Sequence, residues 1–193
     1  IYLNSDKLIS LLKSNSAILE GHFLLTSGKH SNFYIEKFRI LEDPKLLDDV
    51  CMSMSNSFVN ENIDIVLGAA IGGILLAGGV GRHLDAKHIF SERIDGNMEL
   101  RRGFQISKGD KVLIVEDIIT TGGSVFELIK LVEMYEAEIV GIVSLIHRST
   151  EKIDFGYNYS TLLEFPVESW NETEVPAWLS DIPINKPGRT GKK

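Results

Sequence analysis

The chain has 193 residues, of which 44% are hydrophobic and 24% charged, a composition typical of one folded domain over residues 1–193. A formal net charge of -7 argues against a nucleic-acid binder, because affinity for phosphate backbones comes from clustered Lys and Arg, and only the terminal GRTGKK is basic. The single cysteine, Cys51, excludes internal disulfides and cysteine-based zinc sites, so we expect a cytoplasmic protein.

The first sixty residues predict a helix, a strand pair and a second helix. Apolar side chains at positions 8, 9, 11 and 12 indicate a short amphipathic helix capped by Asn4 or Ser5. The segment GHFLLTSGKHSNFYIEKFRIL predicts a hairpin or two short strands around Ser27-Gly28. Asp43-Pro44 then begins a helix whose apolar positions continue through Val59.

From residue 63 onward, short apolar runs alternate with helical segments. The predicted strands are IDIVLGAA, AKHIF, KVLIVE and EIVGIVSLI, and the predicted helices are GGILLAGGVGRHL and GGSVFELIKLVEMYE. Strands that are apolar on both faces indicate a parallel core sheet, over residues 60–150, with helices on both sides. The uncharged run at 65–81 is too short and too rich in glycine for a membrane span, so we expect no membrane association.

Two segments lie outside this alternation. The polar connection at 91–110, SERIDGNMELRRGFQISKGD, is unusually long and predicts a flexible lid loop. Beyond Arg148, YSTLLEFPV predicts a further strand and VPAWLSDIPINKPG an extended tail. Parallel sheets bind ligands at the carboxyl ends of their strands, and the lid follows one such end.

The stretch VLIVEDIITTGGS, residues 112–124, joins a strand to a helix through a turn of hydroxyl residues and glycines. In Thr120–Ser124, glycines expose backbone N–H groups, hydroxyls add donors, and the helix start is partly positive, so the turn suits a phosphate monoester. A capped helix start is the alternative interpretation. The turn lacks the Gly-Lys-Ser/Thr ending of a Walker loop.

Glu116 and Asp117 stand immediately before this turn. Neighbouring carboxylates repel each other, so a fold that keeps them needs hydroxyl groups for them to bind or a cation to neutralise them. The alternative is a pair of solvated acids at the end of a strand. A ribose 5-phosphate satisfies both features, because the turn binds its phosphate and the acids bind its hydroxyls.

The 112–124 stretch resembles the signature of type I phosphoribosyltransferases. Together with EGHFLLTSGKHSNFYIE, GAAIGGI, ERIDGNMELRRGF and LIHRS, it resembles the orotate phosphoribosyltransferase family over nearly the whole chain. The resemblance implies the type I phosphoribosyltransferase fold, an α/β fold with a central parallel sheet flanked by helices and a small hood from residues 1–40. It also implies transfer of a phosphoribosyl group from 5-phosphoribosyl 1-diphosphate to orotate, with Mg²⁺, in a homodimer whose lid closes over the neighbouring subunit's site.

The resemblance also assigns binding residues for the ribosyl diphosphate. Gly68–Gly73 would form a diphosphate loop, although tight helix packing explains such glycines equally well. Mg²⁺ would be held mainly by the substrate, with Glu116 and Asp117 as the candidate protein ligands. The residues implied for 5-phosphoribosyl 1-diphosphate are Gly72, Gly73, Glu116, Asp117, Ile118, Ile119, Thr120, Thr121, Gly122, Gly123 and Ser124.

For orotate, the resemblance implies Phe33 and Tyr34 along the base, Thr120 in contact with it, and Arg148 on its carboxylate. Arginine suits a carboxylate because its planar fork makes two parallel charge-assisted hydrogen bonds, although an arginine after a strand is commonly a surface residue. The residues implied to act on the reacting groups are Asp117 and the lid arginines Arg93, Arg101 and Arg102. Without the resemblance, the arginine pair would be a solvated face.

Three family lysines are absent from this sequence. Many family members carry lysine where Thr26 and Gly72 stand here, and another in the lid; Lys29 or the lid arginines are candidates to compensate. The remaining alternatives are a phosphoribosyltransferase for another base, a non-catalytic regulator that binds ribosyl diphosphate, and an NAD-binding domain built on GAAIGG. Orotate dependence on Arg148 separates the first of these from an orotate enzyme.

Overall fold

The computed structural model describes residues 3, 5–25 and 27–187. Two residues discussed above, the proposed helix cap Asn4 and Thr26, lie outside these residues. The helices are α1 Ser5–Ser14, α2 Phe38–Leu41, α3 Pro44–Ser55, α4 Gly72–Leu84, α5 Gly123–Met134 and α6 Ala177–Ser180, with 3-10 turns at Asn56–Phe58 and Glu172–Glu174. The strands are β1 Ile18–Leu24, β2 His30–Ile35, β3 Ile65–Ala69, β4 Lys87–Ile94, β5 Asn97–Leu100, β6 Lys111–Ile119, β7 Glu138–His147, β8 Tyr159–Glu164, β9 Ser169–Trp170 and β10 Ile184–Asn185.

The main sheet has the strand order β5-β4-β3-β6-β7-β8, and all its neighbours are parallel except β4 and β5. Alternate residues of β6 enter two different hydrophobic clusters: Leu113 and Val115 pack with α1, α3 and α4, whereas Val112 and Ile114 pack with α5. The sheet is therefore covered on both faces, as the apolar strands predicted. It also continues past residue 150, because the predicted strand YSTLLEFPV forms β8.

The hood is a second, four-stranded sheet with the order β10-β1-β2-β9. Residues 1–40 supply the β1–β2 hairpin around Ser27-Gly28, but β9 and β10 come from the C-terminal part of the chain, and β10 lies within the segment predicted as an extended tail. Two buried histidines join these parts: His22 Nδ1 donates to the Ile182 carbonyl oxygen at 3.0 Å, and His22 Nε2 lies 2.7 Å from His30 Nδ1. The hood is thus built from both ends of the chain.

The lid segment 91–110 differs from the expected loop, because its first half is a β-hairpin. Strand β4 continues to Ile94 and pairs antiparallel with β5, Arg93 opposite Met98 and Ile94 opposite Asn97. The two residues between the strands, Asp95 and Gly96, both have positive φ, 48° and 88°, as a two-residue hairpin turn requires. Only residues 101–110 remain without helix or strand.

The starts of α3 and α4 agree with the sequence signals. Asp43 Oδ1 accepts hydrogen bonds from the backbone N–H groups of Lys45 and Leu46, and Pro44 opens α3. The apolar run 65–81 forms β3, a short turn and the first three turns of α4, as predicted. Within the described ranges, no helix has the length and apolar character needed to cross a membrane.

Candidate active site

The turn at 120–124 borders a small polar cavity at the carboxyl end of β6. The cavity measures about 200 Å³ and is lined by Glu116 and residues 118–125. Gly122 has φ 77°, and a Cβ there would lie 2.8 Å from the Phe155 ring, so this position requires glycine. Gly122 is also the N-cap of α5 and has no side chain to cap the helix, so N–H groups of the first turn are available to an anion.

Glu116 and Asp117 lie inside β6 because this strand extends three residues beyond the predicted KVLIVE. Both are buried, and both accept backbone hydrogen bonds: Glu116 Oε1 from the Asp117 N–H at 2.9 Å, and Asp117 Oδ1 from the Ile118 N–H at 2.6 Å. Burial, followed by the neighbouring Asp117 charge, raises the pKa of Glu116 to about 8. The interpretation of solvated acids is therefore wrong, and the pair carries an electrostatic cost.

Lys37 offsets part of this cost, and no pattern in the sequence pointed to this residue. Its Nζ lies 2.6 Å from Asp117 Oδ2, and its charge lowers the pKa of Glu116 against the larger effect of burial. Lys37 follows β2 in the hood and is 80 positions from Asp117, so no local motif connects the two residues. The hood therefore contributes a cation to the acidic pair.

Two different packing contacts require glycine in the predicted diphosphate loop, residues 68–73. A Cβ at Gly68 would lie 2.3 Å from the Gly73 carbonyl oxygen, so these two glycines allow α4 to pack tightly against β3, as the alternative interpretation proposed. A Cβ at Gly72 would instead lie 1.5 Å from Asp117 Oδ2. Gly72 thus places the N-terminus of α4 directly beside the buried acid.

Arg148, at the end of β7, connects the hood to the signature strand. Its backbone N–H donates to the Ile119 carbonyl oxygen at 2.8 Å, and its Nη2 donates to Ser31 Oγ at 3.2 Å. Burial lowers the pKa of Arg148, and no carboxylate of the described residues forms an ion pair with it. A partly buried guanidinium without an acidic partner is suited to the carboxylate of a ligand.

Phe33 and Tyr34 do not form a single aromatic wall. As neighbours in β2 they point to opposite sides of the strand. The Phe33 ring packs edge-on against Phe165, with a centroid distance of 5.5 Å, and the Tyr34 ring lies 5.8 Å from that of Phe23. Phe33 shares its side of β2 with Ser31, which accepts the hydrogen bond from Arg148. Their contact with the base stays a prediction.

The structure does not bring the lid arginines to the acids. The Arg93 guanidinium pairs with Glu127 of α5, and that of Arg102 makes two hydrogen bonds to Glu92, at 2.8 and 2.9 Å, while Arg101 is exposed. The carboxylates that Arg93 and Arg102 contact both lie outside the signature, and Arg93 also donates to the Gly96 carbonyl oxygen at 2.8 Å. Their catalytic role stays a prediction that requires the lid to move.

Comparison with known proteins places this site in a family. A model of the phosphoribosyl transferase domain matches residues 39–179, which include the acids, the turn and Arg148. Orotate phosphoribosyltransferase of Caldicellulosiruptor bescii is 44% identical over 190 residues, covering 98% of this chain and all of that protein. The chain belongs to the orotate phosphoribosyltransferase family. The family member from Thermotoga maritima is 40% identical over 95% of this chain and 98% of its own.

Solved structures show how widely this fold is shared. Orotate phosphoribosyltransferase from Aeropyrum pernix superimposes with a TM-score of 0.68 at 23% identity, over 81% of this chain and 93% of its own. Adenine phosphoribosyltransferase from Rhodothermus marinus gives 0.63 at 22% identity, over 83% and 99%. The fold is therefore common to enzymes for different bases, and membership of the orotate phosphoribosyltransferase family comes from the sequence relatives.

Proposed function

We propose that the protein transfers the phosphoribosyl group of 5-phosphoribosyl 1-diphosphate to orotate, giving orotidine 5′-phosphate and diphosphate in pyrimidine nucleotide biosynthesis. The observation that carries the proposal is the hydrogen bond from the Arg148 N–H to Ile119 O. It places the backbone of Arg148 beside the strand that carries the acids and the phosphate turn, and the guanidinium, which donates to Ser31 Oγ at 3.2 Å, is suited to orotate's carboxylate. Charged substrates and the buried free thiol of Cys51 favour a cytoplasmic location.

Catalysis in this site is mainly orientation and charge stabilisation. The turn at 120–124 holds the 5-phosphate, and Glu116 and Asp117 bind the ribose hydroxyls. Burial favours the protonated form of Glu116 in the free protein, and a bound cation would favour the ionised form, in which both carboxylates accept hydrogen bonds from the ribose hydroxyls. With the sugar fixed, the pyrimidine nitrogen attacks the anomeric carbon from the face opposite the departing diphosphate, so no protein nucleophile is required.

Magnesium is the cofactor that we propose. The described residues contain no group of three or more His, Cys, Asp or Glu side chains able to hold a metal alone, so the substrate must supply most of the ligands. Glu116 and Asp117 fit the remaining role, because carboxylate oxygens are preferred by Mg²⁺ and a nearby cation favours the ionised form of Glu116. When bound, Mg²⁺ supplies positive charge to the leaving diphosphate.

We also propose a homodimer. An apolar groove of about 1230 Å³ runs between α3, α4 and β4, and its lining includes Leu47, Leu75, Phe90 and Phe104. Leu75 and the neighbouring Ile71 have exposed fractions of 49% and 72%. Exposed apolar surface of this extent is typical of an interface, which supports the proposal that a second copy of the chain covers it.

In that dimer, Arg93, Arg101 and Arg102 act in the neighbouring subunit's site. Arg93 and Arg102 pair with Glu127 and Glu92, so neither arginine contacts the signature acids of its own chain. This arrangement supports a role in the neighbouring subunit. The tip of the lid hairpin, residues 95–97, is exposed and therefore accessible to another subunit, whereas Met98 and Leu100 pack against the hydrophobic cluster that includes α5.

A coupled absorbance assay tests the proposed reaction directly. The protein is supplied with 5-phosphoribosyl 1-diphosphate, Mg²⁺ and, in separate reactions, orotate, uracil, adenine or hypoxanthine. We expect diphosphate release with orotate and none above background with the purines. Consumption of adenine with orotate untouched would overturn the base assignment, and omission of Mg²⁺ should abolish turnover.

A further inference from the structure

The Lys37 ammonium is a part of the site to which the proposed function gives no role. It lies 2.6 Å from Asp117 Oδ2, and the exposed fractions of the two side chains are 31% for Lys37 and 7% for Asp117. The carboxylate is therefore fixed inside the fold, while the ammonium is open to solvent on one side. Such an ammonium can exchange one anionic partner for another without a new desolvation cost.

Position 72 explains why this cation comes from the hood. A Cβ on Gly72 would lie 1.5 Å from Asp117 Oδ2 and 3.2 Å from Lys37 Nζ, so the ion pair fills the space that any side chain at position 72 would need. The positive charge beside the start of α4 therefore comes from Lys37, which lies between β2 and α2.

Charge balance gives Lys37 a function in binding. A diphosphate placed at the glycine turn would stand close to Asp117 and be repelled by it unless a cation lies between them. The lid arginines do not fill this position, because Arg93 pairs with Glu127 and Arg102 with Glu92. The Lys37 ammonium already lies beside Asp117, next to the space that a side chain at position 72 would occupy.

We propose that Lys37 binds the diphosphate of 5-phosphoribosyl 1-diphosphate. In the free protein its ammonium pairs with Asp117; when the substrate arrives, the ammonium turns to the diphosphate and leaves Asp117 available to a ribose hydroxyl. This assignment rests on the proposed function, since it takes the ribosyl diphosphate as the ligand of the site.

Calorimetric titration with two partial ligands tests the assignment. Pyrophosphate with Mg²⁺ reports the diphosphate position, and ribose 5-phosphate reports the turn and the acids. We expect Lys37→Met to weaken pyrophosphate binding by roughly 10- to 100-fold, the value of one charge-assisted hydrogen bond, and to leave ribose 5-phosphate binding unchanged. Lys37→Arg should keep most of the pyrophosphate affinity, and Lys130→Met, a change at an exposed lysine of α5, should alter neither ligand.

Two results would overturn the assignment. Unchanged pyrophosphate affinity in Lys37→Met would show that the ammonium does not meet the diphosphate. An equal loss for both ligands would show that Lys37 acts only by holding Asp117. Neither titration depends on turnover, so wild-type protein that binds pyrophosphate but does not consume orotate would remove the proposed function and leave the Lys37 comparison valid.

Discussion

At the scale of single residues, the proposed function assigns the choice of base to Arg148. Arg148→Ala removes the guanidinium that we propose binds orotate's carboxylate, and we expect the KM for orotate to rise about 10- to 100-fold while the KM for the ribosyl diphosphate stays near the wild-type value. Steady-state kinetics with each substrate varied in turn provides the measurement. Arg148→Lys, which keeps the charge and loses the planar fork, should fall between the two proteins. Equal increases in both KM values would contradict a role confined to the base.

Glu116 should make the protein's stability depend on pH. Its pKa of about 8 in the fold exceeds the ordinary value of 4.5, so between these pH values the folded state binds more protons than the unfolded state. The free energy of unfolding therefore falls as pH rises through this window. Glu116→Gln keeps an oxygen for the Asp117 N–H and cannot ionise.

We expect the Gln variant to match the wild type near pH 4 and to be more stable by a few kcal/mol at pH 8.5. Urea denaturation across this range, without ligands, measures the difference. Parallel stability curves for the two proteins would show that Glu116 is not held in its protonated form.

At the scale of secondary structure, the packing of α4 on β3 leaves no space for a side chain at Gly68. Gly68→Ala would place a Cβ 2.3 Å from a backbone oxygen that has little freedom to move, and we expect a loss of about 1–3 kcal/mol in the free energy of unfolding. Gly78→Ala is the matched control, since the nearest atom to its Cβ would be 3.8 Å away and alanine favours a helix. Thermal and urea denaturation should rank the two variants in opposite directions from the wild type.

Local signals predicted most elements of the core sheet. Helix α4 has the predicted bounds because its glycines and apolar residues are continuous from 72 to 84, and α3 begins at its Asp-Pro signal. The lid hairpin was missed although its signal was present: Asp95-Gly96 is a favoured two-residue hairpin turn, flanked by residues that pair across it. The length and polarity of residues 91–110 favour a loop, and this signal was given more weight than the Asp95-Gly96 turn.

At the scale of the whole molecule, the unpredicted features are contacts between distant segments. Strand β10 pairs with β1 across about 160 residues, and Lys37 meets Asp117 across 80, so no window of sequence contains both partners. The acids and the turn were identified because they are neighbours in one strand and its following turn. The cation that compensates them was not, because only the folded hood brings it there.

The proposed sharing of the lid between subunits makes a prediction about mixed dimers. Arg101→Ala/Arg102→Ala chains have intact acids, and Asp117→Asn chains have an intact lid, so each homodimer should be nearly inactive. A mixed dimer regains one complete site, and random pairing of equal amounts should recover about a quarter of wild-type activity. Chains that are coexpressed with two different affinity tags allow the mixed dimer to be isolated. A mixed dimer no more active than its parents would show that each lid serves its own subunit.

The central claim is that one pocket binds phosphate, ribose and base through the turn, the two acids and Arg148. A crystal structure with orotidine 5′-phosphate tests it most directly. We expect the phosphate within hydrogen-bonding distance of residues 120–124, the ribose hydroxyls on Glu116 and Asp117, and the carboxylate on the Arg148 guanidinium. A nucleotide bound with its phosphate away from that turn, or with Arg148 directed elsewhere, would contradict it.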